Sequence, residues 1–363
     1  MNAIMTNIAD SLHIAWAIAW KDIVDALKNK ATRINLILLV GLVVFFYWSL
    51  NIRPWDKQVN IVVYDEGHTS LAIEKTTLED GSELVFHKAT SLQEMESIMS
   101  YKDLGLVIPA DFDRLLESGA EPTLNGYIFW SDRAKAAELE TKYARQLTEL
   151  LGQPVRVSIG KNILIPQNDD RGNASTAAFH MFFAVFYIAI AVAPHLMFEE
   201  KRAKTLDALL VSPASAGQVI LGKALAGCFY MLLSGGLALI LSRAYVTNWG
   251  LSLLAFCCSA LFSIGLALVL GSLVQSPQQL ALWSQPVVFG LLVPAFFAQE
   301  PLLAANLKAV ISWLPTTALV NIFGYSVSKG MTLAQLGTNL AIVLGYVVLV
   351  YAVVVWKLRR LDR

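Results

Sequence analysis

Between Ala208 and Trp356 the only charged side chains are Lys223, Arg243, Glu300, Lys308 and Lys329. So long a stretch with so little charge cannot be solvated as the surface of a soluble domain. It divides into apolar runs at 219–241, 251–274, 280–297 and 336–356, and two further runs, 34–50 and 174–198, lie upstream. Each is near the roughly 20 residues that a helix needs to cross hydrocarbon. With 56% hydrophobic and 15% charged residues in a chain of 363, the expected fold is an α-helical polytopic membrane protein with six transmembrane helices. All of the charges above except Lys223 fall in expected loops. Lys223 stands about one turn into its helix and is expected to snorkel to the interface.

Orientation follows from the short basic flanks. Lys21, Lys28, Lys30 and Arg33 precede the first run, Lys201, Arg202 and Lys204 follow the second, and Lys357, Arg359, Arg360 and Arg363 follow the sixth. With six spans these groups share one side, the cytoplasm. Both termini are therefore expected inside, in an inner (plasma) membrane of bacterial type. The first run, with Tyr47 and Trp48 at its far end, reads as an uncleaved signal anchor. Ahead of it, Ile8, Leu12, Trp16, Trp20, Ile23 and Leu27 recur at spacings of three and four, with Asp10, Lys21, Asp22, Asp25 and Lys28 elsewhere on the wheel. That pattern predicts an amphipathic helix lying in the inner interface within a cytoplasmic segment 1–33.

From 53 to 171 the composition becomes that of a soluble domain. Runs at 59–64, 84–86, 104–108 and 124–130 read as strands, and stretches around 71–78, 92–99, 112–117 and 134–151 as helices. An α/β domain inserted on the extracytoplasmic side is the expectation. The remaining spans occupy 174–356, with a cytoplasmic tail at 357–363. Within them, the polar stretch 199–213 opens on Glu199, Glu200, Lys201 and Arg202. Thr205, Leu206, Asp207, Leu209 and Leu210 then form a short amphipathic turn that Pro213 ends. The segment 298–335, broken by Pro301, Trp313 and Pro315, reads as a re-entrant hairpin on the outer side.

Several chemistries are excluded or weakly marked. Gly217, Gly222 and Lys223 nearly spell a phosphate-binding loop, but Ala224 stands where a hydroxyl should hold Mg²⁺ and no strand precedes it. Cys228, Cys257 and Cys258 lie inside apolar runs, which suits neither a disulfide framework nor a thiolate metal site. A net charge of zero argues against a nucleic-acid partner. No Asp or Glu falls in an expected span, unlike the buried carboxylates common in ion-coupled carriers. His180 and His195 do fall in the second span, about four turns apart, and are candidate residues of a translocation path. Solvation at the two interfaces explains them equally well.

Taken together, Ala19-Trp20-Lys21-Asp22 in the N-terminal helix, the run Glu199 to Pro213, and Val219-Ile220 with Gly222-Lys223 resemble the membrane subunit of type-2 ATP-binding-cassette (ABC) exporters. Tyr64-Asp65 and Pro109 to Phe112 are similar to the subgroup with a large extracytoplasmic domain between the first two spans. The resemblance implies a multidrug or sodium-extrusion permease that works as a dimer, or paired with a related permease, in the lipid bilayer. It implies a separate cytoplasmic ABC ATPase that carries ATP and Mg, and no cofactor in this chain. Segment 199–213 would be the coupling helix: Glu199, Glu200, Lys201 and Arg202 orienting it, Leu206, Leu209 and Leu210 giving its apolar contact.

Overall fold

A computed structural model of the chain describes residues 2–28, 30–51, 58–67, 75–78, 83–99, 103–167, 173–203, 216–274, 276–298 and 303–361. Helix α1 (Asn2–Lys28) is followed by α2 (Lys30–Asn51), and the stretches Ser11–Lys28 and Thr32–Trp48 cross at 82°. An amphipathic helix and an apolar one thus meet at a corner.

The following region is a mixed sheet. Its strands are β1 (Gln58–Asp65), β2 (Lys75–Thr77), β3 (Glu83–Ala89), β4 (Leu104–Ile108), β5 (Thr123–Phe129), β6 (Arg156–Ser158) and β7 (Ile163–Leu164), in the order β2-β3-β1-β4-β5-β6 with β7 also on β5. Its helices are α3 (Leu92–Ile98), α4 (Phe112–Glu117) and α5 (Ala136–Leu151). β1 pairs in parallel with β3 and β4 at the centre, where an apolar run buried on both faces belongs. Ile61 and Val63 face a cluster with Leu84, Phe112, Tyr143 and Leu147, whereas Val62 faces Met95 and Met99 of the α3 side. Burial of a side chain such as Leu84 or Phe112 in a core contributes about 1.5–3 kcal/mol. Gly105 lets α3 approach, since a Cβ there would lie 2.6 Å from the Met99 sulfur.

Helix α3 begins on a capped turn. The Ser91 hydroxyl accepts from the Glu94 N–H at 3.1 Å, and the Glu94 carboxylate accepts from the Thr90 N–H at 2.6 Å and from the Thr90 hydroxyl. These bonds hold the Glu94 carboxyl below its ordinary range, the Thr90 hydroxyl first among the causes. The expected helix at 71–78 is corrected in part. Residues 71–74 lie outside those described, and 75–77 form the edge strand β2, where β-branched Thr76 and Thr77 pair with Leu84 and Glu83.

The bundle comprises α6 (Asn173–Ala203), α7 (Ala216–Leu241), α8 (Trp249–Leu273), α9 (Pro277–Phe297), α10 (Ala305–Ile311), α11 (Pro315–Ser326) and α12 (Leu333–Leu361). Among the described residues five helices are long and apolar enough to cross a membrane, or seven if each bent pair is one span. α6 is central, burying Ala177, Ala178, Phe182, Val185, Phe186 and Ala189. Small residues permit such closeness where the hydrophobic effect between helices is weak. At Gly235 of α7 a Cβ would meet the Phe256 ring at 2.5 Å and Val185 at 2.6 Å. The expected hairpin within 298–335 resolves into α10 and α11, bent by 96° where Pro315 starts the second helix. α11 is buried along its length, and its Thr316 hydroxyl donates to the Leu291 carbonyl of α9 at 2.7 Å.

The sheet region is joined to one end of this bundle. A 3-10 helix, Trp130–Lys135, brings the Trp130 indole N–H to the Val246 carbonyl at 3.1 Å and the Arg133 guanidinium to the Ala244 carbonyl at 2.7 Å. The Arg133 guanidinium also lies 4.1 Å above the Trp130 ring, and partial burial lowers its pKa. The Lys329 N–H donates to the Pro166 carbonyl at 2.9 Å, next to a bridge between Gln167 and Lys329. The sheet therefore rests on the α7–α8 and α11–α12 connections.

Candidate coupling site

At the opposite end of the bundle, α6 and α7 flank residues 204–215, which lie outside the described residues. Thr205, Leu206, Asp207, Leu209, Leu210 and Pro213 belong to that segment. α6 continues through Pro194 to Ala203, so its backbone carries Glu199, Glu200, Lys201 and Arg202 past Pro194, the last residue of the helix seen buried. The side chains of these residues and of His195 are also outside the description.

What the structure does define is the joint where the chain re-enters the bundle. The first turns of α7 pack along α1 through Ala15, Ile18, Ala19, Ile23 and Ala26, all buried, while Leu12, Trp16, Trp20 and Leu27 on the other side of α1 are 41–58% exposed. Gly222 sets the separation: a Cβ there would lie 2.8 Å from both the Ala15 carbonyl oxygen and Ile18. Polar links run along the seam. The Gln218 amide donates to the Ser11 hydroxyl at 3.0 Å, the Lys223 ammonium to Asp22 at 3.2 Å, and the Tyr230 hydroxyl to the Ile23 carbonyl at 2.7 Å.

The Lys223–Asp22 ion pair corrects the sequence expectation twice. Lys223 does not reach for the interface, because its side chain is 0% exposed, and Asp22 does not lie on a solvated face, at 6%. A charge in the seam is favoured by its counter-charge, since the attraction between the two offsets part of the cost of taking them out of water. The missed signal is the spacing Ala15, Ala19, Asp22, Ala26, a stripe of small residues interrupted by one carboxylate. A helix wheel ranks residues by apolarity, so the tryptophans dominated it. The smallest residues mark the side that another helix approaches.

Of the two candidate translocation residues, His180 is the one whose side chain falls among those described. His180 stacks on Phe46 of α2, ring centroids 4.2 Å apart and planes 2° from parallel, and its Nδ1 makes no hydrogen bond among the described residues. Phe46 meets Phe183 edge-on at 5.5 Å, and Phe179 meets Phe296 of α9 at 5.3 Å, so an aromatic seam joins α2, α6 and α9. Such faces suit flat apolar or delocalised cationic molecules. Elsewhere in the bundle Ser252, Ser259 and Ser263 of α8 and Thr317 of α11 are buried, and their hydroxyls likewise make no hydrogen bond among the described residues. Sequence reasoning passed over these, because serine in an apolar helix usually bonds the preceding turn.

Comparison with known proteins agrees with this architecture. Over 284 residues, 74% of this chain and 76% of the relative, it is 25% identical to the "Probable multidrug ABC transporter permease YbhR" of Escherichia coli (strain K12). Over 317 residues, 76% of this chain and 80% of the relative, it is 24% identical to the "ABC transporter permease protein NatB" of Bacillus subtilis (strain 168). Residues 31–356, which take in α2, the sheet region and the bundle, match the family model of the ABC-2 family transporter proteins. A match running through nearly all of the fold shows that the chain belongs to the ABC-2 transporter family.

Proposed function

We propose that this chain is the permease subunit of an ABC exporter, moving a hydrophobic or amphipathic molecule, drug-like or lipid-like, out of the cytoplasm. ATP is hydrolysed with Mg on a separate cytoplasmic ABC ATPase, which grips segment 199–213. The observation that carries this reading is the unbroken course of α6 from Asn173 to Ala203. A push on the charged end of such a rod is delivered directly to the central helix of the bundle. The reading takes α2 with the five long helices as six spans, places both termini inside, and puts the sheet region outside the membrane. It also pairs two permeases, through the exposed faces of α9 and α12, which bear Leu282, Trp283, Phe289, Val348 and Leu349.

The test is the L209D/L210D double variant, reconstituted with the ATPase in vesicles. Permease-stimulated ATP hydrolysis and efflux of a rhodamine dye should both fall to background while the chain still inserts. Wild-type stimulation would remove the coupling assignment. A second reading, sodium extrusion, is favoured by the buried hydroxyls Ser252, Ser259, Ser263 and Thr317, because oxygen donors suit hard cations. Stimulation by Na⁺ and not by dyes would select it.

A further inference from the structure

We infer that the Asp22–Lys223 pair is a latch that makes α1 and the start of α7 a single lever. Its use in transport rests on the coupling reading above. The seam is fixed at several heights. Ser11–Gln218, Asp22–Lys223 and Ile23–Tyr230 tie residues 218 to 230 of α7 to α1, a length of about 18 Å at the helical rise per residue. Gly222 brings the backbones close enough for the short Asp22 side chain to meet Lys223. Of these links only the ion pair is charged at both ends, and its burial at 0% and 6% makes separation costly. Apolar contact alone would let two helices slide or roll, whereas a desolvated pair fixes rotation and height together.

The outer side of α1 supplies the other half of the lever. Leu12, Trp16, Trp20 and Leu27 are exposed in a row, and tryptophans on an amphipathic helix seek the level of the lipid headgroups. α1 thus holds a fixed depth at the membrane surface, and the latch transfers that depth to α7 where segment 204–215 joins it. A push on that segment then works against an anchored point and reaches the bundle as rotation. Without the latch, α7 would yield. Asp22 and Lys223 are positioning residues in this account.

The experiment uses the full chain with its ATPase in phosphatidylethanolamine–phosphatidylglycerol vesicles, with Cys228, Cys257 and Cys258 replaced by alanine. Asp22→Asn should lower permease-stimulated ATP hydrolysis on the order of tenfold with the ATPase still bound. In that background, joining Ser11→Cys to Gln218→Cys with a short reducible thiol cross-linker should restore stimulation, and reduction should abolish it again. A purely structural role in folding would not be switched on and off in this way. Wild-type stimulation by both Asp22→Asn and Lys223→Met would overturn the inference, as would a formed cross-link that restores nothing. If Asp22→Asn fails to accumulate, the exchange D22K/K223D is read instead: stimulation retained supports the latch, and a folded, uncoupled exchange overturns it. The L209D/L210D variant separates the two readings, because a failure there strikes the coupling segment while the cross-link result still decides the latch.

Discussion

Two joints attach peripheral parts to the same bundle, and they are built from opposite chemistry. At one end α1 meets α7 through a buried ion pair, Asp22–Lys223, in a seam of alanines closed down on Gly222. At the other end the sheet region meets the α7–α8 connection through Arg133 and Trp130, both half-buried and both donating to backbone carbonyls. In the first joint two buried charges face each other, and removing either takes a counter-charge from the other. In the second the acceptors are peptide groups that water can satisfy when the donor leaves. Breaking the first joint is therefore expected to cost more than loosening the second.

The sharpest way to break this contrast is to truncate one cation in each joint. Lys223→Ala leaves Asp22 buried and should cost about 3–5 kcal/mol, whereas Arg133→Ala should cost about 1–2 kcal/mol. Thermal unfolding of the purified chain in detergent measures both, and equal losses would erase the distinction. Next in size, Gly222→Val forces the seam apart by placing branched carbon against the Ala15 carbonyl and Ile18, and should cost about 1–3 kcal/mol. The yield of the Ser11–Gln218 cross-link should fall with it. The smallest effect belongs to the sheet region alone. Glu94 has a lowered pKa in the folded state, so the stability it adds is present above the unfolded carboxyl value and is lost as pH falls through the folded one. Glu94→Gln should flatten the acid limb of proteolytic resistance at α3 and leave the α1–α7 joint unmoved.

How much of this was legible differs by element. The apolar runs gave α6, α7, α8, α9 and α12 directly, since the length of a spanning helix is set by the membrane and not by its neighbours. β1, β3, β4 and β5 were legible as β-rich runs, because central strands are apolar whatever they pair with. β6 and β7, three and two residues long, were not, being held by β5 more than by their own propensity. β2 reads as helix in the sequence because a short polar edge strand has no periodicity of its own. The charges of segment 199–213 are plain in the sequence, whereas the α1–α7 seam is marked only by the small residues Ala15, Ala19 and Ala26 around Asp22, which a ranking by apolarity passes over. The aromatic seam at His180 was half legible, as the histidine stood out while its partner Phe46 lies far along the chain, in α2.

By itself the sequence determined where the chain can meet lipid and where it must meet water, because transfer free energy is a property of each residue and sums along a helix. The tertiary structure alone decided which sides of those helices face one another. Asp22 and Lys223 are 201 residues apart, and along the sequence the one reads as part of a polar helix face and the other as a lysine reaching for the interface. Burial of a charge becomes tolerable only through its partner, so no single-residue property could have placed that pair in the seam.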